Sequence, residues 1–221
     1  MVTEVDPPLR GYYDRLFAVL GPQNWWPGDT QLEVIVGAIL TQSTAWRNVE
    51  QAIANLKAQN LMSVEALREV PLARLAMLVR PSGYFRQKAR KLKAFISFLV
   101  QEFDGSLDRL FETPTAELRE RLLQVFGIGP ETADSILLYA GRHPVFVVDA
   151  YARRILTRHG WLAPGAAYQD VQSLFESRLG SDWRVFNEFH ALIVNVGKNW
   201  CRRNSTRCAE CPLGIFHEAG Q

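Results

Sequence analysis

The segment Arg119–Gly141, RERLLQVFGIGPETADSILLYAG, limits what this chain can fold into more than any other stretch. Leu118, Leu122, Leu123 and Phe126 recur at helical spacing and run into Gly127-Ile128-Gly129-Pro130, and a second helix follows at once. Two glycines around one apolar residue let the backbone turn sharply, with Ile128 plugging the gap between the helices. Pro130 opens the second helix, where its missing N–H is harmless. The free N–H groups and dipole of that helix point at whatever approaches the turn, which suits a phosphate and reads no base. A plain αα-hairpin is the other reading; apolar-Gly-apolar-Gly before a helix of small residues favours the phosphate.

The rest of the sequence reads as helices with short breaks, so the expected fold class is all-α. Leu32, Ile35, Val36, Ile39 and Leu40 mark one further amphipathic stretch. Asp29, Ser43 or Thr44, Ser63, Thr113 and Ser181 stand where N-caps belong, and Pro71 and Pro114 stand near helix starts. Val145–Val148 is a short β-branched run bounded by Pro144 and Asp149, read as an extended connection into the next helix. As a lone residue, Asp149 is the cap of that helix.

With 221 residues, 48% of them hydrophobic and 22% charged, the chain can bury a sizeable core, which excludes disorder. No apolar run approaches the roughly 18 residues of a membrane span, and the first thirty residues carry acids, prolines and tryptophans. The expectation is a cytoplasmic protein without membrane contact, monomeric by default. A net charge of +2 says little, but its distribution says more. Arg80, Arg86, Lys88, Arg90, Lys91 and Lys93 form one basic run, and Lys198, Arg202, Arg203 and Arg207 another. Two such patches suit a polyanion laid across one face; solvated helix faces are the alternative.

In order along the chain, FGIGP, VVDAY and a cysteine cluster resemble the helix-hairpin-helix DNA glycosylase superfamily, which includes endonuclease III. The resemblance runs from about Trp25 to Cys211. It implies two helical lobes, a six-helix barrel lobe over residues 31–142 holding the hairpin (119–141), and a terminal lobe from 1–30 and 143–221. The active site would lie between them, with Asp149 as the catalytic carboxylate and double-stranded DNA as the partner. Endonuclease III carries a lysine nucleophile where this chain has Glu131. A carboxylate cannot form a Schiff base with the sugar, so the resemblance implies base release without strand cleavage.

Within that superfamily, Trp25-Trp26-Pro27, the run Ala38–Thr44 followed by Trp46, Val79–Tyr84 and the glutamate after the hairpin resemble the 3-methyladenine DNA glycosylase III family. By that resemblance Trp25, Trp26, Pro27 and Trp46 line a pocket for an alkylated purine. Gln42 fills the gap left by the flipped base, Gly83 and Tyr84 wedge the opposite strand, and Lys198 stands near the aspartate. Gly127, Ile128 and Gly129 would grip the DNA backbone, as would Arg202 and Arg203. Another base lesion, oxidised or deaminated, and a non-catalytic lesion-sensing module stay open as alternatives.

Cys201-x6-Cys208-x2-Cys211 reproduces the first three ligands of the endonuclease III iron–sulfur loop, with His217 at the place of the fourth. The 3-methyladenine family lacks this cluster, so the two resemblances disagree here. A [4Fe–4S] cluster is the favoured reading, with zinc or no metal as the alternatives. His143, His159 and His190 are not spaced as a metal set and are read as histidines without catalytic duty.

Overall fold

The computed structural model describes residues 7–163 and 165–216; His217, the expected fourth cluster ligand, lies outside them. Among the described residues the chain is helical throughout and forms no strand; an isolated bridge joins Cys201 to Thr206. In chain order the helices are α1 (Leu9–Leu20), α2 (Gln31–Leu40), α3 (Trp46–Ala58), α4 (Val64–Glu69), α5 (Leu72–Leu78) and α6 (Phe85–Phe103). Then come α7 (Leu107–Glu112), α8 (Thr115–Leu123), α9 (Pro130–Ser135), α10 (Ala150–Arg158), α11 (Tyr168–Leu179) and α12 (Trp183–Asn199). A 3₁₀ turn spans Arg80–Ser82, and α9 continues as a π-helix over Ile136–Ala140. No helix among the described residues is long and apolar enough to cross a membrane.

The chain divides into two compact units, residues 26–143 and residues 1–25 with 144–221. The first is organised around α2, which is buried from Leu32 to Leu40 because apolar or small side chains occupy nearly all of its circumference. α6 is the longest helix of that unit and buries one stripe, Leu92, Phe95, Ile96, Leu99 and Phe103, at the i, i+3, i+4 spacing that its sequence shows. Burying each such side chain contributes about 1.5–3 kcal/mol.

In the second unit, Phe146 stacks on Phe175 with ring centroids 3.9 Å apart, and Phe186 and Phe189 close the cluster edge-on. The extended run Val145–Val148 needs no sheet, because side chains satisfy its backbone. Phe146 N–H donates to Glu176 (2.9 Å), Gln172 donates to Phe146 O (2.8 Å), and Val148 N–H donates to the Tyr168 hydroxyl (3.2 Å). Those three partners come from α11 and its start, so the extended connection is stapled directly before Asp149.

Several caps fall one residue from their expected places. Thr30, not Asp29, caps α2 by accepting from Glu33 N–H (3.2 Å), and Asp29 instead takes Lys57 (2.8 Å). Asp182, not Ser181, caps α12, and Pro114, not Thr113, precedes α8. Neither Ser43 nor Thr44 caps α3; Ala45 holds that position, and Ser43 is left-handed at φ +54°. On α2 and α12 a neighbouring side chain accepts from the first N–H groups, whereas α3 and α8 begin after Ala45 and Pro114 without a side-chain cap, so the sequence signal was right about the break and loose about the residue.

Candidate active site and DNA-binding elements

The hairpin is built as its glycines require. Gly127 is at φ +80°, and the aliphatic stem of Lys91 occupies the space a Cβ would need. Gly129 is extended and precedes α9, while Ile128 is 4% exposed and plugs the turn. Gly129, Pro130 and Glu131 are exposed, so the start of the second helix is open to solvent. A buried bidentate pair fixes the two helices against each other: Arg119 on α8 donates to Asp134 on α9 at 2.7 and 3.1 Å, with the Asp134 side chain fully buried.

Gln42, the expected gap filler, follows α2 and is tied to this hairpin. Its amide donates to Gly127 O (3.1 Å) and to the Thr132 hydroxyl (2.9 Å), and Lys91 donates to its Oε1. Gly83 (φ +71°) and Tyr84 (φ +44°) both have positive φ, with Tyr84 left-handed and 71% exposed.

The expected pocket tryptophans separate. Trp26 lies on α2 over Gly37, where a Cβ would meet its ring at 3.2–3.3 Å. It is edge-on to Trp46 (centroids 5.1 Å) and tilted against Tyr139 (5.0 Å). Glu33 braces the preceding loop, accepting from Asp29 N–H (3.2 Å) and from Lys57 (2.8 Å). Pro27 in that loop is exposed. Trp25 falls in the other unit, where Lys198 Nζ sits 5.7 Å from its ring centroid. Tyr139, Gly37 and Glu33 were missed in the sequence. Tyr139 is presented by a π-helix, whose extra residue per turn leaves no periodic mark, and Gly37 reads as an ordinary small residue in an apolar run.

Asp149 is the cap of α10, accepting from Ala152 N–H at 2.8 Å through Oδ1. It is 9% exposed, and its Oδ2 lies 3.5 Å from Nε2 of His190, itself 5% exposed. The histidine read as bland is therefore the side chain the structure sets beside the carboxylate. Its position eight residues before Lys198 on α12 was a signal too weak to use. Gly197 lets α12 approach closely, since Tyr151 fills the place of a Cβ there. A carboxylate held by a backbone N–H, flanked by imidazole and still reachable can stabilise a positive charge or orient a water.

In that same unit Cys201, Cys208 and Cys211 line one cavity of about 250 Å³, together with Arg158, His159, Thr206 and Gly214. Arg158 reaches Cys201 Sγ (3.2 Å) and the carbonyls of Arg202 (2.7 Å) and Arg203 (2.9 Å); both of those arginines are exposed. Burial pushes the Cys211 thiol up, and Cys201 and Cys208 push it further. Among the described residues no three His, Cys, Asp or Glu side chains converge closely enough to hold one metal ion.

Comparison with known proteins decides the family. The signature of the HhH-GPD superfamily of base excision DNA repair proteins matches residues 36–180. The chain belongs to that superfamily. A relative from Methanocaldococcus jannaschii, whose name of DNA repair glycosylase is itself provisional, is 43% identical over 92% of this chain and 93% of its own. Endonuclease III of Sulfolobus acidocaldarius is 28% identical over 81% of this chain and 78% of its own. Among solved structures, the H. pylori 3-methyladenine DNA glycosylase bound to 1,N6-ethenoadenine aligns with TM-score 0.77 and 28% identity, covering 88% of this chain and 98% of that one. A trapped endonuclease III–DNA intermediate aligns with TM-score 0.80 at 19% identity over 94% and 93%, which shows a shared fold. Membership makes this protein a DNA glycosylase of base excision repair.

Proposed function

We propose that this glycosylase removes alkylated purines from double-stranded DNA by hydrolysis and leaves an abasic site. The observation that carries the reading is the aromatic set of Trp26, Trp46 and Tyr139, with Trp26 seated on Gly37. An N-alkylated purine is cationic, and aromatic faces attract it with about 1–2 kcal/mol of stacking and cation–π energy. Taking it out of the duplex costs a few kcal/mol, less for a damaged base. The positive base is already a good leaving group. Its bond to C1′ breaks with the electron pair going to the base, which leaves neutral; Asp149 stabilises the developing oxocarbenium charge, and an oriented water adds to C1′ and gives up its proton to the Asp149 carboxylate. The likeness to the H. pylori enzyme, a 3-methyladenine DNA glycosylase bound to 1,N6-ethenoadenine, supports this choice.

The lesion choice is tested with duplexes carrying one lesion each. Excision of an alkylated purine at least tenfold faster than of uracil or an oxidised base supports the reading, and the reverse order replaces it.

Glu131 gives this member no amine at the lyase position, and strand cleavage is expected to be absent. Glu131→Lys supplies one at the exposed start of α9. The variant is expected to form a borohydride-trappable adduct with abasic DNA where the wild type forms little; equal trapping by both would assign the amine elsewhere, Lys198 first.

The Cys201, Cys208 and Cys211 thiolates would hold a [4Fe–4S] cluster. Three cysteine thiols lining one cavity, at the spacing of the first three ligands of the endonuclease III iron–sulfur loop, support this reading. The group would cross-link the basic loop and supply no step of the reaction. Purified protein is expected to carry iron and acid-labile sulfide in equal amounts, and Cys208→Ser to lose both; zinc at one per chain would overturn this.

A further inference from the structure

Lys88 is a buried cation for which base excision assigns no task. It sits on α6 at 2% exposure, and its ammonium donates to Leu40 O (2.8 Å) and Ser82 O (2.5 Å). Leu40 is the last residue of α2, two before Gln42, and Ser82 directly precedes Gly83-Tyr84. One turn further along α6, Lys91 donates to Gln42 Oε1 and packs over Gly127. Both turns hold non-glycine residues at positive φ, Ser43 at +54° and Tyr84 at +44°, conformations that persist only where surroundings enforce them. Gln42, Ser43, Tyr84, Gln87, Lys88 and Lys91 line an open cavity of about 190 Å³.

A core position this deep would normally hold an apolar side chain, since burying an ammonium is costly. Lys88 sits where an apolar side chain would leave the carbonyl at the α2 C-terminus and that of Ser82 without this donor. Burial lowers its pKa from 10.5 to about 8, and repulsion from Lys91 adds to that.

We propose that Lys88 is a positioning residue for DNA distortion, its ammonium fixing the Gln42 turn and the Gly83-Tyr84 turn at one separation so that both engage a kinked duplex together. This rests on the proposed glycosylase function and on the DNA roles that the family resemblance implies for Gln42 and Tyr84. Phosphate contacts elsewhere set affinity for undamaged DNA, whereas two turns held in register act only where the duplex opens.

The test places 4-fluorophenylalanine at position 84 as a fluorine NMR reporter and measures binding to intact duplex and to duplex with an abasic-site analogue. Lys88→Met is expected to broaden or split the fluorine signal and to weaken abasic-site binding about tenfold, as preorganisation is lost, with intact-duplex binding unchanged. Lys88→Arg is expected to restore most of both. If Lys88→Met does not fold, the reporter protein itself decides the matter. Raising the pH from ~7 to ~9.5 is expected to move the signal with a midpoint near the Lys88 value of about 8, as the charge leaves its two hydrogen bonds. Lys91 is the charged neighbour that acts on Lys88, Leu40, Gln42, Ser43, Ser82 and Gln87 do not titrate, and the reporter removes the Tyr84 phenol. A folded Lys88→Met with unchanged signal and selectivity, or no inflection near that pH, overturns the proposal. Gln42→Ala and Tyr84→Ala run alongside: if neither weakens abasic-site binding, the reading of those two residues fails and takes the proposal with it.

Discussion

Asp149→Asn is expected to leave a folded protein that binds DNA and releases base about 10³-fold more slowly. The substitution keeps the cap of α10, since an asparagine side chain can also accept from Ala152 N–H, so helix and stability are preserved to within about 1 kcal/mol. In the proposed mechanism it removes the negative charge beside the developing oxocarbenium ion and the acceptor for the attacking water, and losses of one such group commonly lie between about 10² and 10⁴-fold. Single-turnover excision, with circular dichroism and duplex affinity measured on the same sample, separates chemistry from folding. Wild-type rates from a folded Asp149→Asn protein would remove Asp149 from the mechanism and return it to the role of helix cap.

The largest expected effect on stability belongs to the hairpin. Arg119→Met takes the guanidinium from Asp134, whose side chain has no solvent exposure. Removing one partner of a buried pair costs about 3–5 kcal/mol, because the remaining charge keeps its desolvation penalty. At roughly 2–4 °C per kcal/mol for a chain of this size, melting is expected to fall by about 6–20 °C. Arg119→Met with Asp134→Leu, which removes both charges, is expected to recover most of that loss. A single variant that melts within about 2 °C of wild type would show that the pair does not pin α8 to α9.

The fold was legible because its signals are local. The stripe on α6, the apolar run of α2 and the glycines at 127 and 129 each state their structure within a few residues, and the structure returns helices in those places. Asp149 was legible for the same reason, standing as a cap between an extended run and a helix. Its neighbour was not. His190 is 41 positions away and reaches Asp149 only because Gly197 lets α12 lie close to Tyr151, an arrangement that no spacing announces. Tyr139 was hidden by its π-helix, which shifts the phase of the face it presents. Lys88 read as one more member of a basic surface run, although it is almost fully buried, because sequence gives the charge and not the depth. Gln42 was expected to reach toward DNA, and its amide is bound to Gly127 and Thr132 in this state, so its use in DNA requires those bonds to be kept as a brace or exchanged.

The central claim is that this protein hydrolyses the glycosidic bond of alkylated purines and leaves the strand intact. It is tested most directly by incubating the protein with methylated duplex DNA, identifying released bases by chromatography, and scoring strand breaks before and after alkali. The account predicts release of methylated purines by wild type and not by Asp149→Asn, with breaks appearing only after alkali. No released base, or breaks before alkali that depend on Asp149, would contradict it.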